Sequence, residues 1–244
     1  MMNLNEFQSQ HSSFHILYRD DHYIAIEKPA AIHVHPTSLS PRETSCMQIL
    51  RNQIDQWVYT VHRLDRATSG VLIFALSSEA AKRLHALFVE RKIKKRYLAV
   101  VRGWLAEPGG VIDYPLRESD THELQEAQTA YQVLDTIEFQ IPISKFPTAR
   151  FSLVEALPHT GRNNQIRKHF AHLRHPIIGD TNYGDGKQNR FFREHLNLHR
   201  LMLMATHLQF QHPFTGEEIR LTSNMPEELR LGFEEIGWST DFYR

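Results

Sequence analysis

Hydrophobic positions along the chain fall mainly in short runs bounded by turn residues. Ile16–Arg19 and Tyr23–Glu27 flank the polar turn Asp20-Asp21-His22 and read as two strands, the second ended by Lys28-Pro29. Val71–Leu76 is apolar at every position, which predicts a strand covered on both faces. Ser77 or Ser78 then offers an N-cap, Glu79 lies in the first turn, and Ala80, Leu84, Leu87 and Phe88 recur at helical spacing as far as Arg91. Lys95–Arg102 follows as a strand stopped by Gly103, and Thr129–Thr136 and Arg150–Leu157 read as two more. Asn163–Leu173 is helical, with Ile166, Phe170 and Leu173 on one stripe. His207–Gln211 and Glu218–Leu221 flank Pro213-Phe214-Thr215-Gly216, a hairpin signature, and Pro226 opens a last helix that Gly237 closes. Leu105–Gln128 and Thr136–Thr148 are less regular and predict a mobile insertion. With strands outnumbering helices by more than two to one and often joined by hairpins, the fold class is α+β. The expected sheet is largely antiparallel or mixed, flanked by a few helices, and a doubly wound fold is disfavoured.

Composition narrows the compartment. The 244 residues can bury a real core, and 41% hydrophobic with 23% charged residues is ordinary for a soluble globular protein. Runs such as Val71–Leu76 and Leu201–Ala205 are far shorter than a membrane span, and Met1–Gln10 lacks the basic-then-apolar pattern of a secretory signal. Cys46 is the only cysteine, which excludes an intramolecular disulfide and a thiolate zinc cage and suits a reducing cytoplasm. The 28 basic and 28 acidic residues cancel, yet they are segregated. Ala81–Gly103 holds eight Lys or Arg against the single acid Glu90, whereas Glu118–Glu138 holds six acids and no Lys or Arg. Such segregation gives a neutral protein a basic face, the footprint of a polyanion; the plainer alternative is a set of solvated helix faces.

The densest chemistry lies in His62–Gly70. Asp65 has Arg63 before it, Arg66 after it, and a Thr68-Ser69-Gly70 turn behind. Guanidinium neighbours and donated hydrogen bonds favour the ionised carboxylate, which at a strand end can act as nucleophile or general base; the alternative is an Asp–Arg pair that merely pins the loop. In Gly161–His169 a glycine precedes a helix start rich in amides and bases, a setting that favours an anion, and Arg167 could meet a phosphate or carboxylate bidentately; otherwise this is an exposed basic face. Lys94-Lys95-Arg96-Tyr97 brings bases to an aromatic at the head of a strand, suited to phosphates and a stacked base, or Tyr97 is an ordinary strand residue. Among the 16 histidines, His195 and His199 have a metal-compatible spacing, but His-Glu-x-x-His is absent and no acidic cluster accompanies them. Neither a P-loop nor a dinucleotide fingerprint is present, so no metal and no cofactor is expected.

These segments together resemble the RluA-type pseudouridine synthases. The match runs in order through Lys28-Pro29 with Val34-His35-Pro36, His62–Gly70, Lys95-Arg96-Tyr97, Gly161-Arg162 with Gln165–His169, His175–Asp180 and Leu208–Pro213, spanning roughly residues 15 to 225. His-Arg-Leu-Asp-x-x-Thr-Ser-Gly is the specific signal among them. Phe146–Arg150, Leu173–Pro176, Gly184-Asp185 with Gln188–Arg190, and Leu201–Leu203 narrow the likeness to the branch acting on a T-stem uridine of tRNA, at tRNA position 65. The resemblance implies a catalytic domain over 15–244, preceded by a short extension over 1–14 with no room for the S4-like RNA-binding domain of some relatives. It implies uridine-to-pseudouridine isomerisation in the cytoplasm by a monomer, with Asp65, Tyr97 and Arg167 catalytic and Arg167 paired with Asp65. Arg63, Arg66, Lys92, Lys94, Lys95, Arg162 and Lys168 would contact RNA, Arg63 by filling the stack the uridine leaves. Two positions depart from the pattern: Asn163-Asn164 replaces a more usual Lys or Thr followed by His, and Ala31 replaces a frequent Gly. A ribosomal RNA target and a non-catalytic RNA-binding role are the alternatives.

Overall fold

A computed structural model describes residues 13–36, 44–117, 123–143 and 145–239. The expected N-terminal extension falls almost wholly outside them. The described residues form ten strands and five helices, arranged as two compact units. No described helix is long and apolar enough to cross a membrane.

The first unit draws on the chain up to Lys94 and on His207–Asn224. Strands β1 (Ile16–Arg19) and β2 (Tyr23–Lys28) form the expected hairpin. Its turn closes because Asp20 Oδ1 accepts the amides of His22 (2.7 Å) and Tyr23 (2.6 Å), an Asx turn. β2 pairs antiparallel with β4 (Ser69–Ala75), from Tyr23 opposite Ala75 to Lys28 opposite Gly70, and the two-residue β3 (Tyr59–Thr60) also pairs with β4. Every residue of β4 is buried, as its unbroken apolar run predicts. Helix α1 (Cys46–Ile54) was not evident from periodicity; a Ser45–Gln48 capping box starts it. Helix α2 (Ser78–Val89) starts where expected, with Ser77 Oγ accepting the Ala80 amide at 3.1 Å, and it buries Ala80 and Leu84. These pack with Tyr23, Ala25, Ile73, Leu208 and Phe210 in one core cluster. Filling the Leu84 site is worth about 2–5 kcal/mol against alanine.

The second unit comprises Lys95–Thr206 and the chain from Met225 on. Its strands β5 (Lys94–Arg102), β6 (Gly109–Asp113), β7 (Gln128–Phe139) and β8 (Ala149–Pro158) lie in the order β5-β8-β7-β6, all antiparallel. β6 and the extended ends of β7 correct the expectation of irregular chain over Leu105–Gln128 and Thr136–Thr148. Three helices belong to this unit: α3 (Gln165–His172), α4 (Gly186–Leu196) and α5 (Glu227–Glu235). β9 (Leu203–Gln211) continues into the hairpin with β10 (Glu218–Thr222), whose corner is set by His212 Nδ1 accepting the amides of Phe214 and Thr215. Helices α1 and α4 lower the strand-to-helix ratio below that expected, but the α+β class with antiparallel ladders stands.

Candidate active site

Asp65 sits on the turn leading into β4, half-buried between the buried Leu64 and the exposed Arg66. The turn is closed by the Thr68 amide donating to Asp65 O at 3.1 Å. Beneath it lies Lys28, only 1% exposed. A buried ammonium is costly unless each N–H is matched, and Lys28 Nζ donates to Pro29 O (3.0 Å), Arg66 O (3.1 Å) and Thr68 O (2.7 Å). One cation thereby ties the end of β2 to the chain just after Asp65, at Arg66 and Thr68. Alternatives open to a surface loop are removed, and the carboxylate stands on a fixed base. The sequence marks Lys28 by its place in the Lys28-Pro29 element of the family pattern, where it ends β2 after Glu27.

Ala31, one of the two departures from the family pattern, adopts φ 66°. The turn keeps the left-handed conformation that glycine favours, although a methyl group is present. Arg66 Nε donates to the carbonyl of this same residue at 3.1 Å. His62 stacks on Phe88 with centroids 4.7 Å apart, and its Nε2 accepts the Ile73 amide at 3.2 Å, so its proton lies on Nδ1.

In the second unit, Tyr97 lies on β5 opposite Ala156 of β8, half-buried and on the same face as Lys95 by strand alternation. Lys95 Nζ donates to Thr160 O at 3.0 Å, and burial pushes its pKa down to about 8. Behind this carbonyl is a saturated polar network. Thr160 Oγ1 donates to Gln165 Oε1 (2.6 Å), which also accepts the Arg162 amide (3.0 Å); that loop amide is thus satisfied by its own chain. Gln165 Nε2 donates to Gln128 O and to Thr129 Oγ1. The Thr129 hydroxyl then donates to His169 Nδ1 (2.9 Å), and His169 Nε2–H donates to Tyr114 O (3.0 Å). The chain of donors is fully satisfied by the neutral, Nε2-protonated ring. Burial, foremost, lowers the pKa of His169 in accord with that.

The network fixes the head of α3 and so the root of Arg167, which is 7% exposed and not on an open helix face. Within its unit the guanidinium is held by Asp180: Nε to Oδ2 at 2.7 Å and Nη2 to Oδ1 at 2.8 Å. Asp180 Oδ1 also accepts the amides of Asn182 (2.9 Å) and Tyr183 (3.0 Å). Burial opposes ionisation of Asp180, but the Arg167 hydrogen bonds and these amides outweigh it and hold the carboxyl below its usual value. The turn carrying Asp180 needs its glycines. A Cβ on Gly179 (φ 79°) would stand 1.9 Å from Arg200 O, and one on Gly184 would stand 2.0 Å from Asp180 O. Neither Asp180 nor Lys28 was among the expected site residues. The Asp180–Arg167 pairing joins a loop to a helix, and no spacing rule foretells it.

Asn164, the other departure, has φ 55° and ψ 27° just before α3. Its Oδ1 accepts from Arg167 Nη1 at 2.6 Å.

The bases expected to meet RNA divide by setting. Arg63, Arg66, Lys92 and Lys94 are exposed in the first unit, Lys92 bridging to Glu90 at 2.6 Å. In the second, Arg162 Nε donates to Glu126 O (3.0 Å) and Lys168 Nζ to Arg117 O (2.7 Å). Both bind backbone carbonyls of the chain between β6 and β7. The histidines with metal-like spacing turn elsewhere: His195 Nδ1 to Phe191 O and His199 Nε2 to Asn197 Oδ1.

Comparison with known proteins gives a consistent answer. The family model for RNA pseudouridylate synthase matches residues 22–172. A tRNA pseudouridine synthase C of Vibrio parahaemolyticus is 45% identical over 94% of this chain and 97% of its own. That of Haemophilus ducreyi is 46% identical over 93% and 98%. The fold is shared with human RNA pseudouridylate synthase domain containing 4, at TM-score 0.71 and 24% identity over 91% of this chain and 92% of that one. With the specific Asp65 motif inside the matched span and the likeness running nearly end to end, the chain belongs to the RluA-type RNA pseudouridylate synthase family.

Proposed function

We propose that this protein isomerises uridine to pseudouridine in tRNA, at the T-stem uridine of tRNA position 65. The observation that carries the tRNA assignment is the 45% identity over 94% of the chain to an enzyme named tRNA pseudouridine synthase C. The reaction is balanced within the nucleotide: the N1–C1′ bond breaks, uracil turns, C5–C1′ forms, C5 loses a proton and N1 gains one. It needs a carboxylate, a stacking surface and a dry setting for the uracil.

Asp65 supplies the carboxylate, as nucleophile or as stabiliser of an oxocarbenium-like C1′, the part such groups play in glycosidic cleavage. Its turn, anchored by the buried Lys28, suits a group that must not wander. Tyr97 stacks on the uracil and assists removal of the C5 proton. By the family resemblance, Arg167 serves Asp65 as its guanidinium partner. Because Asp180 takes the Nε and Nη2 side of the guanidinium, a second carboxylate would meet it along the Nη1/Nη2 edge. A stem uridine must leave its stack, which costs a few kcal/mol, and Arg63 offsets part of this by filling the gap. Arg66, Lys92, Lys94, Lys95, Arg162 and Lys168 contact phosphates, for Arg162 and Lys168 at the expense of the carbonyls they hold in the free protein.

The test is modification of a tRNA transcript, with pseudouridine mapped by mass labelling. Wild type should convert the position-65 uridine, and Asp65→Asn should abolish conversion while keeping RNA affinity. Activity retained by Asp65→Asn would refute the nucleophile, and modification of ribosomal RNA alone would refute the substrate.

A further inference from the structure

We infer that Asn164 is a positioning residue for Arg167, holding its Nη1, the nitrogen Asp180 does not contact; this rests on the reading that Arg167 serves Asp65. Asn164 occupies the N-cap of α3, where an asparagine side chain ordinarily accepts a first-turn amide, yet it makes no capping hydrogen bond. Its backbone is left-handed, at φ 55° and ψ 27°. Asparagine tolerates that conformation better than other side-chain-bearing residues, though not as well as glycine. A site that gives up a cap and accepts an uncommon backbone state has its side chain committed elsewhere.

That commitment is to Arg167. Asn164 Oδ1 accepts from Nη1 at 2.6 Å, while its Nδ2 donates to Tyr183 Oη at 3.4 Å. Because Arg167 can only donate and the Tyr183 hydroxyl can accept, the amide orientation is fixed chemically as well as by position. The Tyr183 ring lies under the guanidinium, with Cζ 5.2 Å from its centroid. Asp180 fixes Nε and Nη2 along one side of the group. Adding Asn164 at Nη1 and Tyr183 at the face gives holds on different sides, and the directions of the other N–H bonds are then set. A carboxylate partner held by those bonds would inherit their precision, and misplacement by an ångström can cost about a hundredfold in rate.

The experiment compares Asn164→Gly, which keeps the left-handed backbone but removes the amide, with Asn164→Asp, which keeps an acceptor at the same reach. Both are assayed for kcat and KM on tRNA transcript, beside Arg167→Lys. The expected result is a kcat loss of about tenfold or more for Asn164→Gly with KM within about twofold, and recovery of at least about a third of wild-type kcat in Asn164→Asp. Asn164→Gly with kcat within about twofold of wild type, or equal losses in the two variants, would overturn the inference while Arg167→Lys still shows a large loss. Wild-type kcat in Arg167→Lys would instead overturn the reading beneath it, and the inference with it.

Discussion

Replacing Asp180 by asparagine should be among the most damaging single-atom-scale changes in the molecule. The side chain of Asp180 is fully buried and that of Arg167 is 9% exposed, so water cannot replace what the carboxylate provides. The amide would keep one oxygen for the Asn182 and Tyr183 amides, but its nitrogen would turn N–H groups toward a guanidinium that only donates. Leaving one member of a buried pair uncompensated costs about 3–5 kcal/mol. For a chain of this size each kcal/mol moves the melting temperature by about 2–4 °C, so a fall of about 10 °C is expected. Urea unfolding of wild type, Asp180→Asn, Asp180→Leu, Arg167→Met and the double variant Asp180→Leu/Arg167→Met measures the pair directly, the last three with wild type closing the cycle. The single variants should each lose about 3 kcal/mol or more, and the double variant should recover much of it. Because the folded carboxyl sits below its unfolded value, the pair's contribution is complete above about pH 4 and is lost only as pH falls through the folded pKa; Asp180→Asn should erase this acid dependence. A loss under about 1 kcal/mol, or a double variant as weak as the sum of the singles, would refute the sealed clamp.

Two further outcomes follow from backbone and protonation. Ala31→Gly should raise the urea midpoint, with a gain of about 0.5–1 kcal/mol, since relief of the left-handed alanine exceeds the added unfolded-state entropy; a lowered midpoint would show that the turn is not strained. Burial lowers the pKa of folded His169, so stability should fall as pH drops below about 6.5, where the unfolded ring takes up a proton more readily than the folded one. Urea midpoints at about pH 7 and pH 5 should converge in His169→Gln relative to wild type, and an identical decline in both would remove His169 as the cause.

Much of the fold could be read from pattern alone where burial is one-sided or complete. β4 is a solid apolar run because it is buried throughout, and α2 shows both its Ser77 cap and its apolar spacing. The missed elements lack that contrast. β6 begins Gly109-Gly110 and is a strand chiefly because Gln128–Gln132 pairs with it. α4 opens with polar residues and buries Phe191, Phe192 and Leu196, a sparse stripe, while its Asp185 cap accepts two amides that only coordinates reveal. α1 does carry a local sign, Ser45-x-x-Gln48, but only a short apolar stripe beside it. At the site, the family resemblance implied Asp65, Tyr97 and Arg167, whereas their supports were hidden. Lys28 reaches Thr68 across 40 residues, and Asp180 meets Arg167 from a loop whose shape depends on Gly179 and Gly184. Both departures from the family pattern, Ala31 and Asn164, proved to be left-handed residues, a property that identity at one position does not announce.

The pairing of Arg167 with Asp180 also determines how the protein meets a polyanion from afar. A cation sealed against an anion is, beyond a few ångströms, close to a neutral dipole, so it neither draws RNA in nor weakens when salt is added. Lys94 and Arg63 are exposed, and their fields are ones that salt does damp, so under the proposed function long-range attraction would fall to such residues. Under the proposed roles, capture and chemistry would fall to different charges, and ionic strength would be a dial that turns the first while leaving the second alone.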